Sequence, residues 1–253
     1  MTLNGASVLR DVWRMWKQDR QLLLGVAGLL LFVPQFGSLL FMQPQPVFPG
    51  FEADEARLQA YVQASRAWTM SYGVGMLAAA IIVLLGTLTL LLLYLDRRRP
   101  DVKGALLAAL PVLPRYLLAF LLVSIPLALA LQIVPLLILP ALYLEGRLLL
   151  AIPALVAERP LSVVGALRRS WALTRGNGLV LAGMACITFF AGPIMALPFS
   201  VLGSTLNGAP LANPVVAAIL DAGAAAGLTV GALAGALIQV LLYRRLAQPI
   251  RGI

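Results

Sequence analysis

The chain reads as an all-α, polytopic integral membrane protein: a bundle of six transmembrane helices with amphipathic helices on the cytoplasmic side. Three observations predict this. Of 253 residues, 61% are hydrophobic and 11% charged, against about 45–50% and about 25% in a soluble domain; the mean hydropathy of +0.93 agrees. Several apolar runs reach the roughly 20 residues that a helix needs to cross a bilayer. The basic residues fall in short clusters between those runs, a pattern that suits lipid headgroups rather than nucleic acid.

The first element is "ASVLRDVWRMWKQDR". Val8, Leu9, Val12, Trp13 and Trp16 follow helical spacing, with Arg10, Arg14 and Lys17 on the other side. Basic residues and tryptophans on one helix predict an interfacial helix over residues 5–20, lying among anionic headgroups. The apolar run at 21–42 follows, with no small-x-small cleavage pattern, and is expected to be an uncleaved anchor. "QPQPVFPGF" is a proline-rich turn, and "EADEARLQAYVQASRAW" reads as a helix running into the second span, 68–95.

The run from Tyr116 to Ala157 is long enough for two crossings. Loop charge decides whether it makes them. Basic residues cluster before the first span, between Arg97 and Arg115, between Arg159 and Arg175, and after Tyr243. The stretch 43–67 carries only Arg57 and Arg66 against three acids, and 203–213 carries no charge. All four basic clusters stay on the cytoplasmic side only if the run crosses twice. It therefore splits into spans at 116–134 and 136–157, turning near Pro135 and Pro140. The fifth and sixth spans are 178–202 and 214–243. The chain is one transmembrane domain, residues 1–253, with both termini cytoplasmic. Two further cytoplasmic stretches look amphipathic, "DVKGALLAALPVLPRY" and "PLSVVGALRRSWALTRGN". In the second, Pro160 suits a first helical turn and Gly176 a C-terminal stop, and Leu161, Val164, Leu167 and Trp171 share an apolar face.

Glu145 and Arg147 lie midway down the fourth span by sequence. Charges there are costly and face the bundle interior. They cannot pair with each other, since i and i+2 point apart on a helix. Asp221, in the sixth span, is the other acid well inside an apolar run, so an Arg147–Asp221 pair is expected, with Glu145 protonated or hydrated. That pair serves either as an interhelical clamp or as part of a substrate or proton site. Gly223, Gly227, Gly231 and Gly235 form a small-residue stripe. Such a stripe admits a close neighbour, either within the chain, the commoner use, or across a homodimer or partner-protein face. Pro34, Pro126, Pro153, Pro193 and Pro198 are expected to kink or break spans.

Nothing resembles a catalytic constellation. There is no histidine, and Cys186 is a lone cysteine in an apolar run, expected in the core. No Gly-rich phosphate loop, metal cluster or Ser-x-x-Lys pair is present. No catalytic residue, metal or cofactor is expected.

The stretch "RLLLAIPALVAERPLSVVGALRRSWALTRGNG" resembles the YciC-like family of bacterial inner-membrane proteins and the related membrane domain found beside glycerophosphodiester phosphodiesterases. The residues that carry the likeness are Arg147, Glu158, Ala166, Leu167, Ser170, Trp171, Leu173, Thr174 and Gly176. The resemblance implies a six-helix protein of the bacterial inner membrane. It implies no phosphodiesterase activity, which belongs to a separate soluble barrel. The expected role is non-enzymatic: a membrane-embedded interaction or lipid-associated protein, with anionic lipids as partners. The alternatives are a small transporter or lipid translocator using Glu145, Arg147 and Asp221, and, third, a lipid-modifying membrane enzyme.

Overall fold

The computed structural model describes residues 3–43, 45–50, 52–98, 100–132, 137–207 and 213–247. Among the described residues it is helical throughout, and six helices are long and apolar enough to cross a membrane. Pro135, Arg99, Arg251 and the tip of the uncharged loop at 208–212 lie outside the described residues.

The first rod joins α1 (Gly5–Ala27), a π-helical turn (Gly28–Phe32) and α2 (Val33–Phe41). The Asn4 side chain caps α1 by accepting from Ala6 N at 3.0 Å. Inside α1 the helix bends at Asp19 (φ −111°, ψ 20°), so an outer segment is set off from the span. The Asp19 carboxylate accepts a 2.7 Å hydrogen bond from Tyr94 Oη, which holds the elbow. The π-helical turn sits directly ahead of Pro34, which has no N–H to return to the preceding turn.

Helix α3 (Glu55–Leu95) starts at an Asp54 cap that accepts from Arg57 N at 2.8 Å. Its 41 residues give a length of about 60 Å at 1.5 Å per residue, roughly twice a bilayer's hydrocarbon core. The "EADEARLQAYVQASRAW" run and the second span are thus one helix. Trp68 Nε1 donates to Gln43 O at 2.8 Å. The short α4 (Val102–Ala109) leads into α5 (Leu113–Gln132), which contains Pro126.

The fourth span is not one helix. It divides into α6 (Ile138–Leu148) and α7 (Ala151–Ala157). The break falls at Leu149 and Leu150, one turn before Pro153, which has no N–H to give to Leu149. Helix α8 (Val163–Leu173) is capped by Ser162, which accepts from Gly165 N at 3.1 Å, and Gly176 closes it at φ +81°. The start differs from the sequence reading: Pro160 lies before the helix, because the Ser162 side chain supplies the cap. The bundle is completed by α9 (Gly178–Asn207), which runs through Pro193 and Pro198, and by α10 (Pro214–Ala247).

Helix α10 and the α6–α7 pair are the most enclosed spans. Two core clusters lie toward one end. One joins Leu23 and Leu31 to Leu88, Leu91, Leu233 and Leu237. The other joins Val8, Leu150, Leu181, Ile238 and Leu242. The outer faces carry exposed apolar side chains such as Leu29, Val74, Leu121, Ile194 and Ile219, which water would not solvate and lipid would. Cys186 is exposed on α9 rather than buried in the core.

The glycine stripe of α10 faces α9 of the same chain. A Cβ at Gly231 would fall 2.3 Å from Gly192 Cα, one at Gly227 2.7 Å from Ala196 N, and one at Gly235 2.8 Å from Thr188 Cγ2. This face is covered within the chain, so it is not the surface a second copy would use. A similar approach joins α6 to α9, where a Cβ at Gly146 would lie 2.5 Å from Ala182 N.

Gly231→Ala should therefore force α9 and α10 apart, at a cost of about 1–3 kcal/mol, read as a lower thermal midpoint in detergent. Gly183→Ala on α9, where nothing lies within 4 Å of the added carbon, should leave the midpoint unchanged or raise it. Equal midpoints for the two variants would show that the α9–α10 approach is not this close.

Candidate functional site

Arg147 is buried, with 6% of its surface exposed, and its partner is not Asp221. Its Nη1 donates to Thr174 O at 2.7 Å and its Nη2 to Trp171 O at 2.9 Å. The guanidinium also lies over the Trp171 ring, 4.4 Å from the centroid. The acceptors are carbonyls at the C-terminus of α8, where the negative end of the helix dipole lies, and Thr174 O also accepts from Asn177 N at 3.2 Å. The last turn of α8 does the work expected of a carboxylate.

The same junction is bonded in the other direction. Ser170, fully buried, donates to Arg147 O at 2.8 Å and accepts from Leu150 N at 3.2 Å, which serves the backbone at the α6–α7 break. Thr174 Oγ1 donates to Ser170 O at 2.8 Å. Ala166 is fully buried, Leu167 is half-buried, and Leu173 packs against the second core cluster. Glu158 Oε1 accepts from Arg169 Nε and from Tyr243 Oη, both at 2.8 Å. Arg147, Ser170, Trp171 and Thr174 thus make one joint, which Gly176 terminates. Val164 is exposed, and Trp171 is partly exposed while its ring lies over the Arg147 guanidinium.

Glu145 faces elsewhere. It is fully buried and lines a cavity of about 230 Å³ among α3, α5, α6, α9 and α10. Among the described residues neither of its carboxylate oxygens has a hydrogen-bond partner, and the same holds for Ser124 Oγ and Gln239 Oε1 on the cavity wall. Asp221 is distant. It sits about 27 Å along α10 from Gln239 at 1.5 Å per residue, half-buried and without a polar partner among the described residues. Glu145, Arg147 and Asp221 do not form one site.

A second, larger cavity of about 830 Å³ opens at the basic end. Arg97, Arg98, Arg159, Arg169 and Arg244 line it, against Asp96 and Glu158. Arg159 Nη2 lies 3.9 Å from Asp96 Oδ2, and Arg244 Nη2 donates to Tyr94 O at 2.6 Å. The guanidinium groups of Arg97 and Arg98 are exposed and make no hydrogen bond or ion pair among the described residues. The loop after α3, the segment after α7 and the end of α10 are therefore at one end of the bundle. Asp11, which pairs with Arg245, adds the outer segment of α1.

That segment lies across the end of α10. Val8 packs with Ile238 and Leu242. Trp13 and Trp16 stack with centroids 5.2 Å apart, and Lys17 Nζ lies 5.2 Å from the Trp13 ring centre. Arg14 pairs with Asp11 at 3.1 Å, and Arg10 is exposed. Below the tryptophans an apolar groove of about 460 Å³ runs between Leu9, Val12 and the faces of α1 and α10 around Phe32 and Leu233.

Sequence reasoning missed Tyr94, Asp96 and Tyr243 in the basic cavity, and Ser124 and Gln239 beside Glu145. The first group had a signal. Both "YLDRRRP" and "YRRLAQP" place a tyrosine and arginines at the end of an apolar run. The second group had little, since a lone Ser or Gln in an apolar run is ordinary.

Arg147→Met should remove two hydrogen bonds from a charged donor, each worth about 1.5–3 kcal/mol, and release α8 from the bundle. The expected outcome is a strongly lowered thermal midpoint in lipid nanodiscs. Asp221→Asn should change little, and the double variant should equal Arg147→Met alone. Recovery of stability in the double variant would restore the Arg147–Asp221 pair.

Comparison with known protein families, with curated proteins and with solved structures finds no match to this chain.

Proposed function

We propose that this is a non-enzymatic, lipid-associated protein of the bacterial inner membrane, whose basic end lies at the cytoplasmic leaflet and holds anionic lipid headgroups. The observation that carries the reading is the cavity with five arginines against two carboxylates, in which the Arg97 and Arg98 guanidinium groups make no hydrogen bond or ion pair among the described residues. A phosphate would complete their hydrogen bonding. The outer segment of α1 supports the same reading, with Arg10, Arg14 and Lys17 above a tryptophan pair and an apolar groove that suits an acyl chain. The positive-inside rule places this end in the cytoplasm, and both termini with it. The resemblance of the Arg147–Gly178 stretch to the YciC-like family agrees with an inner-membrane protein. The bonding at Arg147, Ser170 and Thr174 supports a fold-holding role for that motif.

Native mass spectrometry from nanodiscs should find phosphatidylglycerol retained in preference to phosphatidylcholine. Arg97→Gln with Arg98→Gln should weaken that retention. Two basic groups near such a surface contribute about 2 kcal/mol, roughly thirtyfold. Equal retention of the two lipids by the unaltered protein would sink the proposal.

Orientation has its own test. In a Cys186→Ala background, Lys103→Cys and Arg175→Cys should both resist an impermeant thiol reagent in intact cells, and Gln59→Cys should react. Labelling of Arg175→Cys with protection of Lys103→Cys would contradict the arrangement.

A further inference from the structure

Glu145 is a carboxyl group in the wrong solvent, and its surroundings offer no cation from the protein. Arg147 is two residues away but turned to α8, where its Nη atoms are occupied. Among the described residues no Lys or Arg lines the cavity, and Tyr116 of α5 is the one other titratable side chain on its wall. A lone carboxylate in a bundle interior is unfavourable unless it takes up a proton or meets a positive charge.

The cavity wall favours the second outcome. Of the four buried polar atoms without a partner there, three are acceptors: Glu145 Oε1, Glu145 Oε2 and Gln239 Oε1. Thr87 and Thr188 also line it. Their hydroxyls donate to the backbone at Val83 O and Met184 O, at 3.0 and 2.9 Å, which leaves their lone pairs free for the cavity. The wall thus offers oxygens, the donors that hard cations prefer, and no thiolate, thioether or imidazole. One negative charge matches one positive charge, whereas a divalent ion would leave excess charge among apolar side chains.

We propose that the Glu145 cavity is a binding site for a small monovalent cation, either a metal ion or a protonated amine. Glu145 supplies the charge, and Gln239, Ser124, Thr87 and Thr188 supply neutral oxygens from four other positions on the wall. The site is independent of the basic cavity and uses neither Arg147 nor Asp221.

Infrared difference spectroscopy of the full chain in nanodiscs tests it. Sodium, methylammonium and tetrabutylammonium chlorides are added separately at constant pH and ionic strength. Sodium or methylammonium should convert a protonated carboxyl band to a carboxylate band and raise the thermal midpoint, and tetrabutylammonium, too large for about 230 Å³, should do neither. A response to either small cation supports the site and identifies its source. The spectral change should vanish in Glu145→Gln and persist in Asp221→Asn. Gln239→Leu, which keeps the carboxyl, should require about tenfold more cation. Three outcomes overturn the proposal: a Glu145 band that responds to pH but to no cation, an unchanged response in Glu145→Gln, or an unchanged response in Gln239→Leu.

Discussion

The grip of Arg147 on the last turn of α8 is the constraint on which the rest of the basic end depends. One guanidinium meets Trp171 O and Thr174 O and stacks on the Trp171 ring. A helix terminus in an apolar environment must have its orphan carbonyls satisfied. Arg147 donates to Trp171 O and adds a second donor to Thr174 O, which also takes Asn177 N, and it finds its counter-charge in the helix dipole. Ser170 then returns a hydrogen bond to Arg147 O and takes one from Leu150 N. The break at Leu149 and Leu150 and the end of α8 are thus mutually capped. This lets α7 turn away, brings Glu158 to Tyr243 and Arg169, and so shapes one wall of the basic cavity.

The bundle handles Glu145 and Arg147 differently because they lie on opposite faces of α6. Arg147 points to the junction with α8 and is consumed by structure. Glu145 points inward and has no protein partner. Both Arg147 Nη atoms are bonded, with Nε left unpartnered, whereas neither Glu145 oxygen has a partner among the described residues, which leaves the carboxyl group available for a ligand or a proton. Close packing keeps these environments apart. Gly146 brings α6 against Ala182 of α9, between the two charges, and the glycines of α10 bring the same helix against Ala191–Phe199. The result is a tight α6–α9–α10 assembly around which the more exposed spans are arranged.

At the basic end, most acids are already engaged by arginines or tyrosines. Asp11, Asp19, Asp96 and Glu158 each have such a partner. The excess of arginine is what remains for an external anion. Exposed pairs of this kind add little to stability, so their value lies in fixing side chains, while the Arg97 and Arg98 guanidinium groups make no hydrogen bond or ion pair among the described residues. The aromatic segment of α1 beside them is held by Asp19, by Val8 and by Met15 and Trp16 against the core, while Trp13 is exposed.

Much of the architecture was legible in the sequence because its cause is one-dimensional. Run length sets whether a helix can span a bilayer, and loop charge required an even number of crossings between Arg115 and Arg159. The stop at Gly176 follows from a single residue acting on adjacent backbone. What the sequence could not decide was which distant groups meet. Arg147 was matched to Asp221 because side chains are the only charges a sequence displays. The charge it found was a helix end, which exists only once α8 has folded back against α6. Likewise the stripe on α10 announces a close neighbour, but only tertiary packing selects α9. Glu145 was visible as an anomaly from the start. That it faces a cavity with Ser124 and Gln239, 21 residues before it and 94 after, is set by five helices packing together, and no local pattern encodes it.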